Sequence, residues 1–268
     1  MKQRRKYHFT LAELLVSMAV FSLLLVLMMQ FFSGARQLMT ANDKRTALYS
    51  DARMAMDLMQ LLLQSSFYNT TDGMPFVIKG APVNSNHNDT TMVWNSSIYF
   101  PSDSDMDLSK GSSVRFLGLK RGGGANDNIL QLRIFSDQDT AQNFALCFPP
   151  FGIGDCSAAA ASTHVADTLA GFSDTDTDHT KVILRNVTGF KITPLNPDMT
   201  RKYTANADYN AIFPAGVELE LSLMQNEEAV QRWKNIADTD AKAAFRAENE
   251  YTFRRTVMFG ERNYKYTP

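Results

Sequence analysis

The chain has 268 residues, with 27 basic and 28 acidic side chains and a formal net charge of −1. Four of those cations lie in the first eight residues; without them 23 basic face 28 acidic side chains, a net charge of −5 for residues 9–268. A mildly acidic balance of this kind argues against nucleic-acid binding, which wants a clustered basic face, and the chain's 18 Phe and 9 Tyr supply core material for a globular domain.

Residues 1–8, MKQRRKYH, form a short head carrying Lys2, Arg4, Arg5 and Lys6 and no negative charge. Behind it, Leu14 to Phe32 holds 19 residues without an ionised side chain. At 1.5 Å per residue that run makes about 28 Å of helix, close to the thickness of a bilayer's hydrocarbon core. Residues 9–32 are therefore expected to cross a membrane. The basic head holds the N-terminus on the cytoplasmic side and sends the remaining chain outward. The run exceeds the apolar core of a cleaved secretory signal, which spans roughly 7 to 15 residues. Glu13 is the exception within it. A carboxylate in an apolar membrane segment is costly and so points to function, unless it lies close enough to the cytoplasmic edge to reach water.

Phe9-Thr10-Leu11-Ala12-Glu13-Leu14-Leu15 behind a basic leader resembles the N-terminal signal of type IV pilins and type II secretion pseudopilins. The resemblance implies that a prepilin peptidase cuts between His8 and Phe9 and that the new amine of Phe9 is methylated. It also implies that Glu13 pairs with the amine of a neighbouring subunit in a filament. Electrostatics agrees with that last role, because a buried carboxylate needs a partner and an α-amine on an adjacent helix supplies one. Where the family carries Gly before the cut, this chain carries His8, and its membrane segment lacks the Pro of many major pilins.

The helix is predicted to continue beyond the membrane, over residues 33–68, where Gly34 is the only glycine and no proline occurs up to Phe67. Leu48, Ala52, Ala55, Met59 and Leu62 recur at helical spacing and form one apolar stripe, with Leu58 and Leu61 expected to widen it. Such a stripe predicts packing on the chain's own domain rather than a free coiled coil.

Residues 69–268 change to a period of two. Short β-rich runs are predicted at 76–79, 91–94, 97–100, 113–119, 129–135, 144–148, 181–184, 189–193, 217–224 and 253–259. Val217-Glu218-Leu219-Glu220-Leu221-Ser222-Leu223 alternates as an antiparallel strand with one buried face. Gly122-Gly123-Gly124 followed by Asn126-Asp127-Asn128 predicts a hairpin, and no GK[ST] follows to make it a phosphate loop. Polar inserts are expected at 81–89, 101–112 and 157–180, the last as a long surface loop, whereas 225–249 carries helix formers between the last two strands. Val182 to Phe190, Pro214 to Leu219 and Phe253 to Val257 resemble, in order and spacing, the corresponding strands of J-type minor pseudopilins.

Cys147 and Cys156 are the only cysteines, and in an exported domain such a pair reads as a structural disulfide. Asp103, Asp105 and Asp107 alternate, as do Asp174, Asp176 and Asp178, a spacing that calcium loops use. Neither triplet has the Gly and Glu an EF-hand needs, and solvated loops are the competing reading. No GxSxG, HExxH or CxxC motif occurs, so no catalytic centre and no cofactor are expected.

The fold class expected is α+β, a long N-terminal helix, membrane-spanning in its first half and amphipathic in its second, packed on antiparallel β-sheets. The function implied by the resemblance is that of a pilin-like minor subunit in a bacterial inner membrane, with its C-terminal domain periplasmic or extracellular. Its partners would be the membrane, other pilin-like subunits and a prepilin peptidase. The alternative is an uncleaved, signal-anchored extracytoplasmic binding module.

Overall fold

In the computed structural model, residues 10–66, 76–82, 92–102, 115–136, 167–174, 176–201 and 214–259 are described. The apolar run and the amphipathic stripe form one continuous helix, α1, Leu11–Gln64. Two compact units divide the chain, Met1–Tyr49 and Ser50–Pro268, and α1 runs through their boundary.

All five residues of the predicted stripe are buried. Its expected flank is corrected, because Leu61 is 64% exposed and Leu58 only half-buried, while Met56 and Leu63 are buried instead. Successive residues sit 100° apart on a helix, so the buried seam is widened on the side of Met56 and Leu63. The helix ends at Gln64 rather than continuing to 68. Two serines mark the stop: the Ser65 hydroxyl donates to Leu62 O at 2.8 Å, and Ser66 donates to Leu63 O through its backbone N–H at 3.1 Å and its hydroxyl at 2.6 Å, a tightened last turn in place of a further α-helical bond.

The sheets of the second unit are both antiparallel. The first comprises β1 (Val77–Lys79), β2 (Ser97–Ser102), β3 (Arg115–Arg121), β4 (Ile129–Ser136) and β5 (Thr180–Arg185), in that spatial order. The second comprises β6 (Val187–Leu195), β7 (Gly216–Met224) and β8 (Glu250–Met258). Asn186, at φ 62°, turns the chain from β5 into β6 and so from one sheet into the other, in a conformation that Asn tolerates better than most residues. Residues 91–94, expected as a strand, are not one over the described 92–94; only Asn95 bridges, in parallel, to Phe190. The run at 144–148 lies outside the described residues. β2 reaches Ser102, so the predicted insert at 101–112 begins later than its composition implied.

Alternation on β7 works as expected: Val217, Leu219, Leu221 and Leu223 are fully buried, while Glu218 and Glu220 face the other way. Glu220 accepts from Lys191 at 3.3 Å and Arg254 at 2.8 Å, and Glu218 accepts from Arg201 at 3.1 Å, giving that face a ladder of paired charges. On the core side, Arg255 of β8 pairs with Asp57 of α1, and Phe76 meets Phe259 edge-to-face with centroids 5.4 Å apart.

The predicted hairpin joins β3 to β4 through a short 3-10 turn, Gly124–Asn126. Gly122 is required there, because an added Cβ would lie 2.4 Å from Asn126 O. Between β7 and β8 the helix-forming stretch 225–249 folds into two helices, α2 (Glu227–Asn235) and α3 (Thr239–Asn249). Asn226 and Asp238 cap them, each accepting a backbone N–H at 2.7 Å. Val230 and Trp233 of α2 pack on Met224.

Candidate functional site

The residue that singles out the first unit is Glu13, and its surroundings follow from its place in the first turn of α1. Thr10 precedes the helix, and the two side chains close a reciprocal cap. Glu13 Oε2 accepts from Thr10 N at 2.9 Å and from Thr10 Oγ1 at 3.0 Å, while Glu13 N donates back to Thr10 Oγ1 at 3.3 Å. This is a capping box, in which a Thr and a Glu three residues later satisfy each other's orphan donors. Thr10-Leu11-Ala12-Glu13 carries that signature in plain sight, and sequence reasoning directed at the membrane missed it. Among the described residues no donor reaches Glu13 Oε1.

Beyond Glu13 the helix surface is apolar and wholly exposed within the chain, with Leu14, Leu15, Met18, Phe21 and Phe31 all more than half accessible. The polar exceptions are neutralised internally: Ser17 donates to Leu14 O at 2.9 Å and Ser22 to Met18 O at 2.8 Å. Hydroxyls satisfied by their own helix add little cost in a lipid environment. One helix is thus long and apolar enough to cross a membrane, near the N-terminus. A shallow groove runs along it past Glu13, Ser17, Val20, Phe21 and Leu24.

His8 and Phe9, the expected cleavage and methylation positions, lie outside the described residues, as do Cys147, Cys156, Asp103, Asp105 and Asp107. The second aspartate triplet is described, and its members are spent separately. Asp174 Oδ1 pairs with Arg133 at 2.5 Å and its Oδ2 accepts from Gly123 N at 2.9 Å. Asp176 accepts from the backbone N–H of Asp178 at 3.0 Å and of His179 at 3.2 Å, and the His179 ring lies 2.8 Å from its Oδ2. Desolvation, the largest single influence, pushes the Asp176 carboxyl up, but the hydrogen bonds from His179 and Asp178 together outweigh it and hold it below its ordinary value. Asp178 is exposed. Among the described residues, no group of three or more His, Cys, Asp or Glu side chains is gathered as a metal ion needs.

Asp174 instead helps dock the insert. The stretch 157–180, expected as a free surface loop, holds a helical turn over 167–171, and Leu169 is fully buried. Arg133, 1% exposed on β4, donates to Leu169 O at 2.8 Å and Ala170 O at 2.7 Å, and Lys120 reaches Ala170 O at 3.5 Å. Lys79 pairs with Asp167 at 3.2 Å. Cations therefore cap the carbonyl end of this turn and hold an anion at its start, the arrangement a helix dipole favours. Burial, followed by the neighbouring Arg133, pulls the Lys120 ammonium below its usual pKa.

No family model matches the chain, and no curated protein matches it.

Proposed function

We propose that this chain is a pilin-like minor subunit, a pseudopilin, of a secretion or pilus-type system. Residues 9–32 anchor it in the bacterial inner membrane with the N-terminus cytoplasmic and the β-rich domain periplasmic or extracellular. A prepilin peptidase removes residues 1–8, and the exposed helix then joins other pilin-like subunits in a filament. The role is structural rather than enzymatic.

The observation that carries the reading is Glu13. It is an exposed carboxylate in the first turn of a helix whose next 19 residues bear no charge. Thr10 occupies one carboxylate oxygen and orients the group, and the second oxygen is left for an amine on a neighbouring helix. A charge in that setting is stabilised by an opposite charge brought by a partner. The basic leader and the resemblance of residues 9–15 to the prepilin signal support the same assignment.

His8 favours a second reading, an uncleaved signal-anchored binding module, because a bulky imidazole stands where the peptidase ordinarily meets glycine. Intact mass of the chain, purified from a membrane containing a prepilin peptidase, separates the two. A chain beginning at methylated Phe9 is expected. A chain beginning at Met1 would overturn the pilin assignment and leave the binding module. Replacing Glu13 by Ala should preserve membrane insertion and lower filament incorporation, and unchanged incorporation would refute the pairing role.

A further inference from the structure

Gly34 is the single glycine among the 54 residues of α1, which contains no proline. It stands two positions beyond Phe32, where the apolar run ends, and just before Arg36, the first charge after Glu13. An interior glycine disfavours a helix about fivefold relative to alanine, the factor that corresponds to ~1 kcal/mol at 1.4 kcal/mol per tenfold. Such a residue usually has a packing reason. Gly118 on β3 has one, since a Cβ there would lie 2.8 Å from the Tyr99 ring. Gly34 has none among the described residues, because nothing there lies within 4 Å of an added Cβ.

Its neighbour adds no support to the helix. Ser17 and Ser22 return their hydroxyls to backbone carbonyls three and four residues earlier, as does Thr40 to Arg36 O at 2.9 Å. Ser33 makes no such bond among the described residues, and both Ser33 and Gly34 are exposed. Gly/Ser pairs are among the recognised causes of helix bending. With no close packing on Gly34 among the described residues, backbone freedom is a physical use of the glycine that the helix itself can exercise.

We propose that Ser33–Gly34 is a bending joint in α1, set where the membrane-length run ends, at which the helix opens locally and changes direction between 11–33 and 35–49. The inference needs only a helix inserted in a bilayer, so it stands or falls apart from filament assembly.

The test is hydrogen–deuterium exchange of the full chain in phosphatidylethanolamine/phosphatidylglycerol nanodiscs, comparing protection over 34–38 with that over 40–47, two exposed stretches of the same helix. The expected result is weaker protection over 34–38, raised about fivefold by Gly34→Ala with 40–47 unchanged. Equal protection in the two windows overturns the joint. So does a Gly34→Ala chain with unaltered exchange over 34–38, since the glycine would then not be what opens the helix.

Discussion

Adjacent leucines near the end of α1 give the sharpest test of how the helix meets its domain. Leu62 is fully buried and Leu61 is 64% exposed, although both are apolar and one residue apart. Leu62→Ala removes three carbons from a closed core, about 2.4 kcal/mol of transfer free energy at ~0.8 kcal/mol per carbon. The cavity left behind raises the loss to about 3–4 kcal/mol. Leu61→Ala removes the same atoms from the surface and should cost about 0.5 kcal/mol or less. Equilibrium urea unfolding of the full chain in detergent, followed by the fluorescence of Trp94 and Trp233, reads the difference. With a slope of about 2 kcal/mol per molar urea, Leu62→Ala should lower the midpoint by about 1.5–2 M and Leu61→Ala by about 0.25 M or less. Comparable losses for the two variants would refute the assigned face of α1.

On β3, Gly118→Ala should cost about 1–3 kcal/mol, because its new methyl meets the Tyr99 ring, and Tyr99→Leu should relieve most of that loss in the double variant. Thermal unfolding of the three chains checks the coupling; additive losses would refute it. Asp176 sets a pH dependence. Its carboxyl is held below its ordinary value in the folded chain, so its contribution is present above the unfolded pKa, near 4, and is lost as pH falls through the lowered native value. Wild type should therefore melt above Asp176→Asn at pH 6, and the gap should close as pH drops below about 4. A gap that persists in acid would show that Asp176 is not held by ionic hydrogen bonds.

Local signals along the chain were sufficient for much of the molecule. The period of 3.6 over residues 48–62 and the period of two over 217–223 each specify an element and its buried face, because one side of each must leave water. Cap residues act equally locally, although none was read from the sequence: Asn226 and Asp238 open α2 and α3, and Ser65 and Ser66 end α1 at Gln64 rather than at 68. Errors arose where burial depends on distant residues. Thr91 to Trp94 has strand composition, yet over 92–94 it adds no ladder, and only the neighbouring Asn95 bridges to Phe190.

The membrane-length run and the carboxylate within it were legible from the sequence alone, because hydrophobic length and an isolated charge are properties of consecutive residues. That Glu13 caps its own helix through Thr10 was encoded in four residues and needed only the right question. Other features were decided by tertiary structure. A polar, aspartate-rich insert reads as solvated on composition. The buried Arg133, 36 to 41 residues away in sequence, draws Leu169, Ala170 and Asp174 onto the sheet. A guanidinium inside a sheet must find acceptors, and only the folded chain brings them within reach.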